Sequence, residues 1–404
     1  MHPSTSSMEP LLPSAQIQGR LEDLAAKILA ASATLEGQLL PATRPGVMRL
    51  LRVVNSYYSN LIEGNATHPI DIERAMREEY AHEPDKRDRQ IESRIHIAVQ
   101  EALLERVAQE PTLAPAHPEF LCWLHKEFYR HMPETLCWQR TPDLPAQRVI
   151  GGELRQTHVQ VGQHIAPAPD ELPAFLDRFA QAYDLTRMHG LTPYIAVAAA
   201  HHRLMWIHPF LDGNGRVARL FTDAWFHCIP LPGYGLWNVS RGLARRRDEY
   251  REKLAAADAP REGDLDGRGA LSQRRLIEFC EFFLSVCLDQ VTYMSNLLRL
   301  DGLAERVAAY VRMRNEGLIS GPSGQKEPFK PGSELLLQAA LVRGEYARGE
   351  AASVLRTSER QARRVLSPLL AEGLLASNTE KAPVRLGFPA HAAGYLFPDL
   401  YPPR

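Results

Sequence analysis

The feature that most constrains this chain is the near-continuous helical periodicity of its apolar residues. They recur every three or four residues, as at Val47, Leu50, Leu51 and Val54, which places them on one face of a helix. The pattern predicts helices at 15–39, 45–63, 86–109, 117–131, 170–188, 192–206, 214–227, 240–257 and 269–313, the last broken near Asp301. A chain of this kind buries its apolar stripes by packing helix on helix, so we expect an all-α protein.

One segment, between 139 and 169, departs from this pattern. Thr157, Val159 and Val161 alternate with polar residues or glycine, and two prolines follow at 167 and 169. A period of two indicates a strand. We therefore expect a short β-hairpin within 153–165, set among the helices.

A boundary is predicted near 316–333, where Gly, Pro and Ser are frequent and a linker is favoured. Three short helical patterns follow at 334–343, 348–355 and 359–372, before an extended segment at 374–388. That order is typical of a winged helix-turn-helix. We expect a small domain of this type at 334–404.

The last of these helices is expected to begin at a cap formed by Thr357 and Ser358. It carries three cations at Arg360, Arg363 and Arg364. Such a helix suits DNA phosphates, but the excess of basic residues over 334–404 is small. Contact with DNA and contact with a protein are both left open for this domain.

The charge and cysteine content exclude several classes of protein. Lys+Arg 47 against Asp+Glu 48 gives a net charge of −1, which excludes a polybasic binder of nucleic acid or acidic membranes. Five cysteines without a Cys-x-x-Cys spacing predict neither a disulfide framework nor a zinc ribbon. The sequence predicts no signal peptide and no membrane span. We expect a cytoplasmic protein without membrane contact.

The residues that carry chemistry are concentrated at 208–219, which reads HPFLDGNGRVAR. Gly213, Asn214 and Gly215 come just before an apolar helical run, where small residues and a helix N-terminus suit a phosphate. Arg216 and Arg219 are three residues apart, so they share one helical face. Each guanidinium has the geometry to bind two phosphate oxygens. The segment therefore predicts a site for a polyphosphate.

Two further residues of the segment add reactive groups. Asp212 is a hard oxygen ligand suited to a Mg²⁺ ion that bridges phosphates. His208 can accept a proton near neutral pH. A base, a metal ligand and an anion site thus lie within one short segment. An ordinary helix-capping loop with an incidental histidine is the alternative reading of these residues.

This segment resembles the signature of the Fic family, H-x-F-x-[D/E]-G-N-G-R-x-x-R, and fills each of its fixed positions. Members of that family transfer AMP from ATP to a hydroxyl side chain of a target protein. The resemblance implies a Fic-type helical core within 15–310, with ATP and Mg²⁺ bound and a hydroxyl-bearing protein as partner. The implied roles are base for His208, core anchor for Phe210, Mg²⁺ ligand for Asp212, phosphate cradle for Gly213, Asn214 and Gly215, pyrophosphate clamp for Arg216, and γ-phosphate clamp for Arg219.

A second element upstream resembles the inhibitory motif of that family, [S/T]-x-x-x-E-[G/N], at Ser59 to Gly64. The four-residue spacing puts Ser59 and Glu63 on one helical face. The carboxylate is expected to pair bidentately with Arg219 and so to block the γ-phosphate. The resemblance implies an inhibitory helix at about 45–64. A plain surface glutamate at a helix C-terminus is the alternative.

The same resemblance suggests roles for two less distinctive features. The hairpin at 153–165 corresponds to the family's target-docking flap, with a purely structural hairpin as the alternative. Tyr250 corresponds to an aromatic residue near the adenine, with simple helix packing as the alternative. His201 and His202 lack a suitably spaced carboxylate partner, so structural roles are expected for them.

We therefore expect four regions: an N-terminal helical region at 1–110, a catalytic core at 111–315, a linker at 316–333 and a winged-helix-like domain at 334–404. The expected function is that of an autoinhibited protein adenylyltransferase acting on Ser, Thr or Tyr. Three alternatives stay open. They are transfer of UMP or phosphocholine, removal of AMP at the same site, and a DNA-binding regulator whose core senses nucleotide. A homodimer is also left open.

Overall fold

The computed structural model describes residues 5–14, 19–65, 67–140 and 145–402. Helices dominate this part of the chain, and its strands are two or three residues long. The all-α prediction is confirmed. The first helices are α1 Gly19–Gln38, α2 Arg44–Ile62, α3 Pro69–Met76 and α4 Pro84–Gln109. The short helix α3 was not predicted, and residues 15–18 of the first predicted helix lie outside the described residues.

The middle of the chain supplies eight more helices, and two of the predicted ones are divided. The predicted helix 240–257 breaks at Arg246, whose φ of −115° and ψ of 38° are not helical. The helix predicted at 269–313 breaks at Leu298 and Arg299, close to the expected Asp301. These helices are α5 Pro118–Tyr129, α6 Leu172–Ala182, α7 Thr192–Ile207, α8 Asn214–Cys228, α9 Val239–Arg245, α10 Arg247–Ala256, α11 Gln273–Leu297 and α12 Leu300–Asn315.

The core forms around α7, which buries most of its side chains, and α11, which buries about half of them. Helix α7 is buried on all sides, and its segment from Ala196 to Ala200, four alanines and one valine, is fully buried. Small side chains allow neighbouring helices to approach closely, and α8, α11, α6 and α1 all contact α7. Helix α11 also packs against α1, α9 and α10. This arrangement fixes the end of α7 and the start of α8, which are joined by residues 208–213.

Two hairpins interrupt the helices before α6. In the second, β3 Gln160–Val161 pairs with β4 His164–Ile165 through a turn at Gly162, whose φ is 61°. It lies within the predicted 153–165 but is shorter: beyond the paired residues, the Val159 carbonyl accepts from Ala166 N–H, and the Thr157 carbonyl accepts from the Arg155 side chain. The first hairpin, β1 Trp138–Gln139 with β2 Gln147–Arg148, was not predicted.

The three helices predicted at 334–343, 348–355 and 359–372 are present, and two strands lie within the predicted extended segment 374–388, whereas a strand at 345–346 and a last helix at 390–396 were not predicted. The helices are α13 Ser333–Arg343, α14 Glu350–Leu355, α15 Glu359–Ala371 and α16 Ala390–Leu396. The strands β5 Glu345–Tyr346, β6 Leu375–Ala376 and β7 Val384–Leu386 form an antiparallel sheet in the order β5-β7-β6. Ser358 accepts a hydrogen bond from Gln361 N–H at the start of α15. The winged-helix assignment and the domain boundaries stay predictions.

Residues after the predicted linker return to the N-terminal helices. The Tyr58 hydroxyl on α2 donates to the Leu400 carbonyl at 3.1 Å, and the Glu73 carboxylate on α3 accepts from Ala390 N–H at 3.0 Å. Helix α16 packs on α3 and α12. In the described part of the chain, none of the helices combines the length and apolar character needed to cross a membrane.

Candidate functional site

The loop between α7 and α8 has a backbone that few sequences adopt. His208 ends α7 in the left-handed conformation, with φ of 49° and ψ of 59°, and Gly213 precedes α8 with φ of 82°. The Asn214 side chain fixes the turn, because its Oδ1 accepts from Phe210 N–H and its Nδ2 donates to the Phe210 carbonyl. Phe210 is fully buried. The loop is therefore held at both ends and anchored in its middle.

This loop forms one wall of a cavity of about 700 Å³. The hairpin β3–β4 and the C-terminal half of α10 form other walls. Among the sequence-predicted site residues, those lining it are Glu63, His208, Asp212, Gly213, Asn214, Gly215, Arg216, Arg219 and Tyr250. Ser59 does not line the cavity and is fully buried. The structure thus brings the predicted residues of both motifs to one cavity.

The His208 imidazole is arranged to accept a proton. Its Nδ1 lies 3.3 Å from the Met205 carbonyl, so Nδ1–H donates there and Nε2 keeps its lone pair. Burial lowers the pKa of His208 to about 4. The ring is therefore neutral at pH 7, as a general base must be.

Asp212 carries a carboxylate that stays ionised. Its Oδ2 accepts from the Tyr129 hydroxyl at 2.6 Å and from Arg216 Nη2 at 2.9 Å. Burial favours a higher pKa, but Arg216 and Tyr129 outweigh it and hold the pKa of Asp212 below its ordinary value. The His125 ring supports the loop from behind, with Nε2 at 3.2 Å from the Asp212 carbonyl.

The donor set around Asp212 fits a magnesium ion held mainly by a nucleotide. No group of three metal-ligating side chains occurs among the described residues, and the Asp212 side chain is 45% exposed toward the cavity. Mg²⁺ in phosphoryl-transfer sites commonly takes one or two carboxylates, water and substrate phosphates. A single carboxylate beside a phosphate site is compatible with that pattern.

Arg216 is more enclosed than the sequence suggested. It is 9% exposed and stacks 4.8 Å above the Phe128 ring. Its Nη1 donates to the buried carboxylate of Glu92, while Nη2 donates to Asp212 and to the Tyr129 hydroxyl. Both terminal nitrogens are therefore engaged within the protein. Its role as a pyrophosphate clamp stays a prediction.

Arg219 contacts both residues of the upstream motif. Its Nη2 donates to Glu63 Oε1 at 2.6 Å, and its Nε donates to Ser59 Oγ at 2.8 Å. One carboxylate contact replaces the expected bidentate pair, because Ser59 takes the Nε that such a pair would use. Burial favours a higher pKa for Glu63, but Arg219 and Arg216 outweigh it and keep the pKa low. The Glu63 carboxylate is therefore ionised at neutral pH.

The Glu63 carboxylate also covers the start of α8. A Cβ added at Gly215 would overlap Glu63 Oε1, so glycine at 215 is what lets the carboxylate approach this closely. The first N–H groups of a helix attract anions. Glu63 thus lies beside the Gly213–Gly215 segment that the sequence predicts to hold phosphates.

Tyr250 lines the cavity, but its hydroxyl is directed into the core. The Tyr250 hydroxyl lies 2.7 Å from His201 Nε2, and His201 Nδ1 lies 2.8 Å from Thr222 Oγ1. Since Thr222 donates to the Ala218 carbonyl, it accepts from His201, and Tyr250 donates to Nε2. His202 lies against the Leu254 carbonyl and Asp258. The place of Tyr250 beside an adenine stays a prediction.

Four residues that shape this site were missed in the sequence: Glu92, His125, Tyr129 and Arg155. Glu92 stands in a polar run, DKRDRQIESR, that is typical of a solvent-exposed helix. The other three stand in ordinary amphipathic or loop sequence, far from the 208–219 segment. We find no local sequence signal that would have identified them, because only the packing of α4 and α5 against α8, and the contact of Arg155 with the end of α7, bring them to the site.

Comparisons with known proteins identify one family in the part of the chain that holds the loop between α7 and α8. The sequence model of the family described as Fic/DOC family matches residues 115–225. The chain is 44% identical over 117 residues to Protein adenylyltransferase Fic of Drosophila grimshawi, covering 29% of this chain and 22% of that protein. It is 43% identical over 171 residues to the Drosophila virilis protein of the same name, covering 42% and 31%. The chain thus spans about a fifth to a third of the length of these relatives.

A solved structure shares the fold over almost the whole chain. A Fic family protein from Desulfovibrio desulfuricans G20 aligns with a TM-score of 0.51 and 20% identity, covering 93% of this chain and 98% of that one. At this identity the likeness concerns the fold.

Proposed function

We propose that this chain, a Fic/DOC family protein through its domain at residues 115–225, transfers AMP from ATP to a Ser, Thr or Tyr hydroxyl of a protein, and that Glu63 inhibits the transfer. The relatives named protein adenylyltransferase support the reaction class. The observation that carries the inhibition is the position of the Glu63 carboxylate, in contact with Arg219 and over the start of α8.

The reaction is a substitution at the α-phosphorus of ATP. In the proposal, His208 Nε2 accepts the proton of the target hydroxyl, and that oxygen forms a bond to the α-phosphorus. The bond from the α-phosphorus to the oxygen that bridges it to the β-phosphorus breaks, and pyrophosphate leaves. A Mg²⁺ ion bound at Asp212 would neutralise phosphate charge.

The chain's own contribution is mostly positioning and charge stabilisation. The backbone N–H groups at Gly213–Gly215 and the α8 N-terminus would hold phosphate oxygens. Arg219 would bind the γ-phosphate once Glu63 releases it. With Glu63 in place, the Arg219 guanidinium is bound by a carboxylate that also lies against Gly215 at the start of α8, so ATP would bind with its α-phosphate misplaced.

Labelled AMP incorporation tests the proposal. The full chain is incubated with Mg²⁺ and ATP labelled at the α-phosphate, and incorporation into the protein itself is counted. Glu63→Gly should raise the rate strongly, since a misplacement of about 1 Å can cost about 100-fold. Adding His208→Ala or Arg219→Ala should cancel the gain. Parallel incubations with labelled UTP and GTP identify the preferred nucleotide.

A matched control separates inhibition from general loosening. Glu9→Gly breaks another ion pair of similar length, 2.8 Å from Glu9 Oε1 to Arg178 Nη2 on α6, and neither residue lies on α2 or lines the cavity. It should leave incorporation at the native level. Equal, low incorporation in the native chain and in folded Glu63→Gly would contradict inhibition by Glu63.

A further inference from the structure

Arg155 is a buried arginine that lies outside both sequence motifs. It stands between the first hairpin and β3 and is 2% exposed. Its Nε donates to the His208 carbonyl at 2.8 Å, and its Nη2 lies 2.5 Å from the Pro167 carbonyl and 3.5 Å from that of Ile207. Its Nη1 donates to the Thr157 carbonyl at 2.9 Å. One side chain therefore joins the two sides of the hairpin to the end of α7.

The acceptors of Arg155 explain how a buried cation is tolerated there. Within the described ranges, none of its ion-pair or hydrogen-bond partners is a carboxylate, and burial lowers the pKa of Arg155. Ile207 and His208 are the last residue of α7 and its cap. Carbonyls at a helix C-terminus lack intrahelical partners and carry partial negative charge. Arg155 thus caps α7 with its side chain.

The main chain of Arg155 reinforces this link. Its N–H donates to the Pro209 carbonyl at 3.0 Å, so consecutive carbonyls of the His208 turn are bound by one residue. The left-handed backbone of His208 is uncommon for a residue with a side chain. A residue held in such a conformation needs surrounding contacts that fix it, and Arg155 supplies them.

We propose that Arg155 is a positioning residue, which fixes the turn at His208 and ties it to the hairpin β3–β4. A protein segment bound at the hairpin then lies at a constant distance from His208 Nε2. This inference rests on the proposed role of His208 as the base.

The electrostatic consequence follows from the groups that face His208. Burial lowers its pKa most; the Met205 carbonyl on α7 and Asp212 on the loop raise it, whereas Arg155 from the hairpin side and His164 on β4 lower it. Removing the Arg155 cation and loosening the turn should both raise the pKa of His208 above about 4.

The test uses the full chain carrying Glu63→Gly, with Arg155→Gln and Arg155→Lys added separately. The rate constant for AMP incorporation should fall about 100-fold in Arg155→Gln, with little change in the ATP concentration that gives half the maximal rate. Arg155→Lys keeps the charge but cannot reach four carbonyls, so it should recover part of the rate. Imidazole NMR signals of His208 should titrate at a higher pH in Arg155→Gln.

Arg306 provides the matched control. Its Nε donates to the Leu396 carbonyl and its Nη2 to that of Leu297, so it too binds backbone carbonyls between elements. Arg306→Gln should change neither the rate constant nor the titration of His208. Circular dichroism establishes whether each variant is folded. If Arg155→Gln does not fold, the same measurements are made on Arg155→Lys.

The outcomes separate this inference from the proposed function. An unchanged rate constant and an unchanged His208 titration in a folded Arg155 variant would overturn the positioning role. A raised His208 titration in a chain that transfers no nucleotide would support the positioning of His208 and contradict the proposed transfer. If Arg155→Gln and Arg306→Gln lower the rate constant equally, Arg155 contributes only to the general stability of the fold.

Discussion

Among the histidines at the candidate site, the hydrogen bonds of His125, His201 and His208 assign one proton to each ring. His164 on β4 also lines the cavity. His125 accepts from Gly152 N–H at Nδ1 and donates to the Asp212 carbonyl from Nε2. His201 uses both nitrogens on Thr222 and Tyr250. For His208, none of the described residues hydrogen-bonds Nε2. Of the three rings with assigned protons, His208 is thus the one with a basic nitrogen left for a substrate.

The pH dependence of transfer follows from the lowered pKa of the buried His208 imidazole. Burial lowers its pKa to about 4, so the neutral base predominates above that pH and is lost by protonation as the pH falls. In the Glu63→Gly chain, where the Glu63 carboxylate cannot titrate, the incorporation rate should stay level from pH 8 to 6 and fall toward pH 4. The measurement is the rate of labelled AMP incorporation against pH, with circular dichroism at each pH. A midpoint near 6.5 would indicate an imidazole exposed to water.

At the level of elements, the polar helix α4 places one carboxylate, that of Glu92, in a buried position. Glu92 is 2% exposed and binds Arg216 of α8. Burial raises the pKa of Glu92 against the opposing effect of Arg216, so the charge itself is costly there. What α8 requires from α4 is an acceptor for Arg216 Nη1.

Two substitutions at this position should therefore differ in stability. Glu92→Gln keeps an oxygen for Arg216 and should change the free energy of unfolding by less than about 1 kcal/mol. Glu92→Ala leaves the buried guanidinium without that partner and should cost about 3–5 kcal/mol. Urea unfolding at pH 7 measures both. Glu101→Ala is the control, since this exposed residue of α4 pairs with Arg52 at 3.4 Å and should cost less than about 1 kcal/mol. Equal losses in the Gln and Ala variants would show that the charge matters.

The elements also show what the sequence can and cannot predict. Helix positions followed from periodicity, since each apolar stripe is a local property of the sequence. The break at Arg246 could not be predicted, because RGLARRRDEYREKL contains no breaker there and the turn is stabilised by Arg246 donating to Glu249. The 208–219 segment was identifiable because its groups are contiguous. Glu92 and Tyr129 meet Arg216 across 124 and 87 residues, so only the fold joins them.

At the scale of the whole molecule, the C-terminal segment is packed against α2, the helix whose C-cap is Glu63. Arg241 on α9 donates to the carbonyls of Asp399 and Leu400, and Tyr58 on α2 donates to Leu400 as well. Tyr58 precedes Ser59, the residue that binds Arg219 Nε. The placement of α2 against α8 therefore depends in part on residues at the far end of the chain.

This packing predicts that a change at Tyr58 raises transfer by loosening α2. Tyr58→Phe removes one hydrogen bond, worth about 1 kcal/mol, and Leu400 keeps Arg241 as a donor, so the fold should persist. A shift of that size corresponds to about a five-fold change in an equilibrium. AMP incorporation in the otherwise native chain should rise by up to about that factor. Tyr57→Phe is the control, because in the described ranges the Tyr57 hydroxyl has no hydrogen-bond partner.

The Glu63→Gly chain decides whether the effect passes through the inhibitory contact. Once the carboxylate is absent, there is no contact between Glu63 and Arg219 for Tyr58→Phe to weaken. The double variant should therefore incorporate AMP at the rate of Glu63→Gly. Coupling of this kind is what a double-mutant cycle measures. An equal gain from Tyr58→Phe in both backgrounds would mean that the C-terminal contact acts on the cavity by another route. A gain in Tyr57→Phe as large as in Tyr58→Phe would attribute the effect to general loosening of α2.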